Sequence, residues 1–274
     1  MSLWIPVTIA AAIFQTLRFM LQKHLSTVRL SASGATFARF AYSAPLVVLV
    51  LAAFVVTTGT ELPETGAKFW VFGAIGGLSQ ILATVCVVLL FKQRNFAVGI
   101  TFKKTEVIQT AIVGIVVLGD RISLGGLAAI MIGLAAVVVL SRPPEGGSGP
   151  WWRHLGNKAS LLGLGSGVLF AFSAVSYRGA SLELEDAPAV LRAAVTLGAV
   201  TMMQMIAMAV WLAIRDRAEL AAVWATRKVG LWVGLTSLCG SFCWFLAFTL
   251  QNAAYVKALG QIELIFTFAV TYLY

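Results

Sequence analysis

Four polar residues recur in this chain as two pairs set in apolar surroundings. Asn95 is followed eleven residues later by Glu106, and Asn252 eleven residues later by Glu263. The second pair lies 157 residues after the first, and Ala97/Ala254, Ile108/Ile265, Thr110/Thr267 and Val113/Val270 match at the same offset. Eleven residues is about three helical turns, so the Asn and Glu of each pair share a face, roughly 16 Å apart along the axis. A carboxylate facing lipid would be costly, so both glutamates are expected to face the interior of a helical bundle. Two carboxylates close together in a low dielectric resist being ionised at once, which suits a proton carrier or a cation site. The plainer reading is that each acid is neutralised by a neighbour and only locks helices together. Lys103, three residues before Glu106, can do this. Glu263 has no such partner on its own helix, because Lys257 is six residues away on another face.

Other polar side chains fall within the same apolar runs. Lys103 and Lys104 are placed to line a cavity and attract an anionic group. Gln15 and Arg18 are one turn apart and can share a cavity face; Gln80, Gln109, Gln204, Gln261 and Ser173 are further polar candidates. Tyr255 and Trp244 are candidate aromatic walls. Arg39 and Arg192 read as helix-end anchors, and Lys257 is expected near a membrane interface. Asn95, Asn252, Lys103, Glu106, Tyr255, Gln261 and Glu263 form the candidate substrate or proton site.

These residues must be positioned by membrane-spanning helices. Of the 274 residues, 59% are hydrophobic and only 11% charged, against about 25% charged in soluble domains. The mean hydropathy is +0.91. Nine apolar segments follow, at about Leu3–Leu21, Ala32–Thr57, Phe69–Phe91, Phe96–Leu118, Leu124–Leu140, Ala159–Ala180, Ala187–Ile214, Val229–Leu250 and Ala253–Tyr274. All are expected to be helices, since an open strand would leave backbone groups unpaired in lipid. Gly73/Gly77 and Gly163/Gly167 would let neighbouring helices approach closely. The first segment has no basic flank or small-residue cleavage site and is expected to be retained as a helix.

The net charge of +9 does not make a nucleic-acid surface, because the basic residues sit in loops between apolar runs and not in a stripe. Cys86, Cys239 and Cys243 fall in apolar segments and read as packing residues, with no His or second pair to complete a metal site. His24 and His154 are both in loops, so no metal, nucleophile or cofactor constellation appears, and a membrane enzyme is disfavoured.

Eleven Lys and Arg residues occupy the odd-numbered loops against three in the even-numbered ones. That bias places the odd loops in the cytoplasm and the N-terminus outside, in a multi-pass protein of the cell membrane. The stretch 142–158, with Pro143-Pro144-Glu145-Gly146-Gly147, reads as a cytoplasmic linker, and Trp151 and Trp152 suit a membrane interface. It divides a first repeat, 1–141, of five helices from a second, 159–274, of four. Five spans before the linker make the second repeat inverted relative to the first. By the 157-residue offset, the second copy lacks the counterpart of 118–141, so the plan is ten helices with the last absent and about nine present.

Several of these stretches resemble a known family. Asn95-Phe96-Ala97-Val98-Gly99, Leu118-Gly119-Asp120-Arg121 and Gly133-Leu134-Ala135 are similar to an EamA domain, the five-helix unit of the drug/metabolite transporter superfamily. Gln251 to Tyr274 resembles the matching part of a second unit, and Arg39 and Arg192 fall where such units often carry an arginine. The resemblance implies two inverted five-helix repeats, a central cavity, and movement of small metabolites, often export. The chain departs from the family at Lys103-Lys104-Thr105-Glu106 and Gly260-Gln261-Ile262-Glu263, where many members have a proline-containing apolar stretch.

The sequence thus favours a secondary transporter, in the exporting direction, of a small or amphipathic metabolite, with lipid bilayer and substrate as partners. Proton coupling and a homodimer are both compatible with these residues. The competing expectation is a non-transporting membrane subunit or a lipid-handling protein.

Overall fold

The chain folds as a helical bundle, and the computed structural model describes residues 2–93, 96–140 and 157–266. The helices are α1 (Trp4–Val28), α2 (Ala32–Thr58), α3 (Ala67–Phe91), α4 (Phe96–Lys103), α5 (Glu106–Leu118), α6 (Leu124–Leu140), α7 (Lys158–Leu182), α8 (Ala189–Arg215), α9 (Arg217–Ala225), α10 (Arg227–Leu250) and α11 (Ala253–Gly260). Among the described residues there is no strand. Six helices, α1, α2, α3, α7, α8 and α10, are long and apolar enough to cross a membrane. Their outward faces are apolar as well: Val56 and Ile214 are 81% and 82% exposed. In water such a surface would be a liability; against lipid it is the expected one. The long apolar helices mark a membrane-embedded protein.

Short polar residues cap the starts of α2 and α7. Ser31 accepts from the Gly34 amide at 3.0 Å and Asn157 from Ser160 at 2.8 Å, each satisfying an amide that the first turn of α2 or α7 cannot pair. α5 ends at Gly119, whose φ of 66° is left-handed and open to glycine without a Cβ penalty.

Small residues bring α7 to the centre. Its Gly163 lies against the Gly99 carbonyl of α4, and a Cβ there would run into that backbone. Gly167 lies 3.2 Å, measured from an ideal Cβ, from the Lys103 carbonyl at the end of α4. On the other side, Gly76 of α3 accommodates the Tyr177 ring. Gly73 and Gly77 lie against Met203, Val200 and Gln204 of α8. The close approaches expected at Gly73/Gly77 and Gly163/Gly167 are therefore present, and one of them presses α7 onto the end of α4.

One expectation needs correction. Phe96–Leu118 is not one helix: it is broken between Lys103 and Glu106 into α4 and α5. The connection between α8 and α10 carries a short helix of its own, α9, at Arg217–Ala225. α9 is held across the bundle end by Glu219, which accepts from the Ser31 amide at 2.6 Å, and by Tyr42, which donates to the Val223 carbonyl at 2.9 Å. Positions 142–156 of the expected linker, with Trp151, Trp152 and His154, lie outside the described residues, as do Thr267, Val270 and the rest of 267–274.

Candidate functional site

The break between α4 and α5 recurs after α11 at the same 157-residue offset. In the first copy the Thr105 amide donates to the Phe102 carbonyl at 3.2 Å and Ile108 to Thr105 at 3.1 Å. In the second, Ile262 donates to Leu259 at 3.1 Å and Ile265 to Ile262 at 2.9 Å. Both are tight turns of the three-residue type, which redirect a helix and set its flanking side chains at new angles. The two repeated glutamates stand just after these turns.

Lysines surround both acids. Glu106 is 4% exposed, and one of its oxygens, Oε1, lies 3.7 Å from Lys103 Nζ and 3.7 Å from Lys257 Nζ. Glu263 Oε2 lies 3.7 Å from Lys104 Nζ and accepts a hydrogen bond from Gln15 Nε2 at 2.6 Å. Two of these pairs cross between the copies: Lys257 of the second reaches Glu106 of the first, and Lys104 of the first reaches Glu263 of the second. Each carboxylate therefore has ammonium groups within 4 Å of one of its oxygens. Lys257, expected near an interface, is buried at 8% exposure. Its ammonium lies over Trp244 at 5.0 Å, Phe170 at 5.3 Å and Phe248 at 5.8 Å from the ring centres. Aromatic faces partly replace the water a buried ammonium loses. Lys103 sits likewise over Phe170 at 5.3 Å.

A small polar cavity adjoins this cluster. Its volume is about 20 Å³, room for about one water. Gln15, Arg18, Arg39, Gln80, Ser173, Tyr177, Ser241 and Lys257 supply its polar lining, and Phe170, Trp244, Phe245 and Phe248 its aromatic walls. Arg39, read from sequence as a helix-end anchor, is instead buried, donating to Thr84 at 3.3 Å and Ser241 at 3.2 Å. Arg192 donates from Nε to the Ser181 carbonyl at 2.8 Å, a helix-end role as expected. Gln204 and Tyr177 both donate to Gln80 Oε1, at 3.0 and 3.1 Å, fixing the cavity wall. A larger crevice of about 380 Å³ between α1, α2, α8 and α10 has apolar walls that include Cys239 and Cys243. It offers nothing charged to orient a ligand, so size alone does not make it the site.

The structure sorts the sequence candidates. Lys103, Glu106 and Glu263 come together with Lys104, Lys257, Gln15 and Arg18. Gln261 stands at the second break, half-buried, its Oε1 without a partner. Asn252 caps α11 by accepting from the Ala254 amide at 2.8 Å, so its side chain is committed to the helix. Tyr255 points away, its hydroxyl accepting from the Ser123 amide at 3.0 Å beside Gly126 of α6. Asn95 lies outside the described residues. Sequence reasoning undervalued Arg39 and Lys257. An arginine well inside an apolar run, seven residues beyond the start of α2, was the available signal for the first.

No family model matches the chain, and no curated protein does. Among solved structures, the crystal structure of a protein aligns over 96% of this chain and 89% of its own. Its TM-score is 0.59 and its sequence identity 17%, a likeness in fold alone.

Proposed function

We propose that the chain is a secondary transporter of small, amphipathic metabolites that works by alternating access between two inverted EamA-like repeats. The observation that carries this reading is the repeated helix break flanked by ion pairs that cross between the copies. Discontinuous helices near mid-membrane are where transporters of this plan hold substrate and coupling ions. A bundle built only for support has no need of two broken helices and six buried charges at its centre, since each such charge is costly in lipid.

The geometry suggests how the halves communicate. The Lys104–Glu263 and Lys257–Glu106 pairs join the copies, and Lys257 also lines the cavity. Asp120, in the loop after α5, lies 3.6 Å from Arg178 of α7. Arg178 also donates to the Phe248 and Gln251 carbonyls at 2.8 and 2.9 Å. Rocking one repeat against the other must stretch some of these contacts while others hold. The cavity has room for about one water, so a metabolite enters only after it widens. The lipid-handling reading draws support from the apolar crevice, whose rim includes the exposed Val50 and Phe54.

Counterflow in proteoliposomes tests the proposal. Each member of a panel of amino acids, nucleosides, organic acids and organic cations is loaded inside, with its labelled form added outside. A transporter accumulates at least one label, and a variant carrying both Glu106→Gln and Glu263→Gln loses that accumulation. Lipid scrambling by the same vesicles without any counterflow would support the lipid-handling reading instead.

A further inference from the structure

We infer that the polar cavity binds the oxyanion head of an amphipathic organic anion, with Arg18, Arg39 and the indole N–H of Trp244 as its donors. This rests on the transporter reading for its biological sense, though not for its chemistry.

Charge comes first. Five cations, Arg18, Arg39, Lys103, Lys104 and Lys257, gather at the cluster and cavity, against two carboxylates, Glu106 and Glu263. The carboxylates pair with the lysines. Arg39 is in no ion pair among the described residues, while Arg18 feels the charge of Glu263, whose nearest ammonium group is that of Lys104. Arg39 donates to two hydroxyls and lies over the Phe40 ring at 5.0 Å, and Arg18 donates to the Gln15 amide oxygen at 3.5 Å and lies over the Phe19 ring at 4.6 Å. At 3% and 2% exposure, both guanidinium groups are withdrawn from bulk water. Buried charge of one sign is retained at a cost unless something of opposite sign visits it.

Hydrogen bonding gives the same answer independently. Two residues lining the cavity carry buried side-chain atoms without a partner: Arg18, at Nε, and Trp244, at Nε1. Both atoms are donors only. A ligand that completes this site must therefore bring acceptors. A carboxylate or phosphate does so while matching the planar fork of a guanidinium.

The remaining walls specify the rest of the ligand. Trp244 and Phe248 stack with ring centres 5.6 Å apart, and Tyr177 and Phe245 at 4.3 Å. Phe170 closes the side next to Lys257. These faces favour an apolar or aromatic body attached to the anionic head.

The full-length protein, purified in neutral detergent, provides the test. Its thermal unfolding is followed with phenylacetate and indole-3-acetate, with the matched amines phenethylamine and tryptamine, with inorganic phosphate, and with phosphatidylglycerol in mixed micelles. The expected result is stabilisation by the aromatic carboxylates and none by the amines. Loss of one charge-assisted bond weakens a ligand by about tenfold or more, so Arg39→Gln and Trp244→Phe should each raise the carboxylate concentration needed by that factor. Trp244→Phe keeps the ring and removes only the N–H, so it serves even if Arg39→Gln fails to fold. Stabilisation by phosphatidylglycerol alone, lost in the same variants, supports the site and assigns the oxyanion to a lipid headgroup. Stabilisation by the amines, equal response of parent and variants, or no response to any anion overturns the inference. Carboxylate binding without counterflow would leave the anion site standing and remove the transporter; counterflow of a cation would do the reverse.

Discussion

Glu106 is the residue on which the charge cluster turns, because one of its oxygens faces two lysines from different copies of the repeat. Replacing it by Gln leaves Lys103 and Lys257 buried without their carboxylate, and breaking a buried pair in this way costs about 3–5 kcal/mol. Adding Lys257→Gln removes one of the stranded charges, so the double variant should be less destabilised than the sum of the singles. Unfolding of the four proteins in a common detergent gives this cycle. Additive effects would show that Lys257 and Glu106 are not coupled. The sequence disclosed Glu106 and Lys103 because they are three residues apart. It could not disclose Lys257 as partner, because that contact closes across 151 residues and no local pattern signals it. Asn252 carries a second signal that is local: its Oδ1 caps α11. A repeated asparagine drew attention to chemistry, although an asparagine directly before a helix is a capping signal.

At the scale of elements, the position of the site depends on α7 lying against the end of α4, and that depends on missing Cβ atoms. Gly163→Ala would press a methyl group into the Gly99 carbonyl and should destabilise by about 1–3 kcal/mol, as overpacking does. Gly165, two residues along the same helix, has nothing within 4 Å of its Cβ position. Gly165→Ala should be neutral or stabilise by up to about 1 kcal/mol, through helix propensity. Thermal unfolding of the pair checks this, and equal effects would mean that the α4–α7 approach is not tight. The helix spacing of small residues was legible in the sequence. The break at Lys104-Thr105 was not read, although four polar residues in a row inside an apolar run marked it. α9 was missed too, despite Asp216 and Glu219 standing three apart at its start, a capping pattern. Hydropathy dominates such a reading, and short amphipathic pieces vanish beside long apolar ones.

At the scale of the whole molecule, the claim is that two repeats move about a shared polar centre which each face of the membrane reaches in turn. Composition alone made the membrane legible, and the 157-residue offset marks two segments in which the same helix break recurs. Alternating access is a property of motion that neither displays. Ser173 offers a probe, since it lines the cavity and is 2% exposed. With Cys86, Cys239 and Cys243 replaced by alanine, Ser173→Cys gives one thiol at the centre of the bundle. The decisive measurement is its labelling by a membrane-impermeant maleimide in right-side-out and in inverted vesicles. Alternating access predicts slow labelling from both faces, with the two rates shifted in opposite directions by a bound substrate. Labelling from one face only, or from neither, would contradict it.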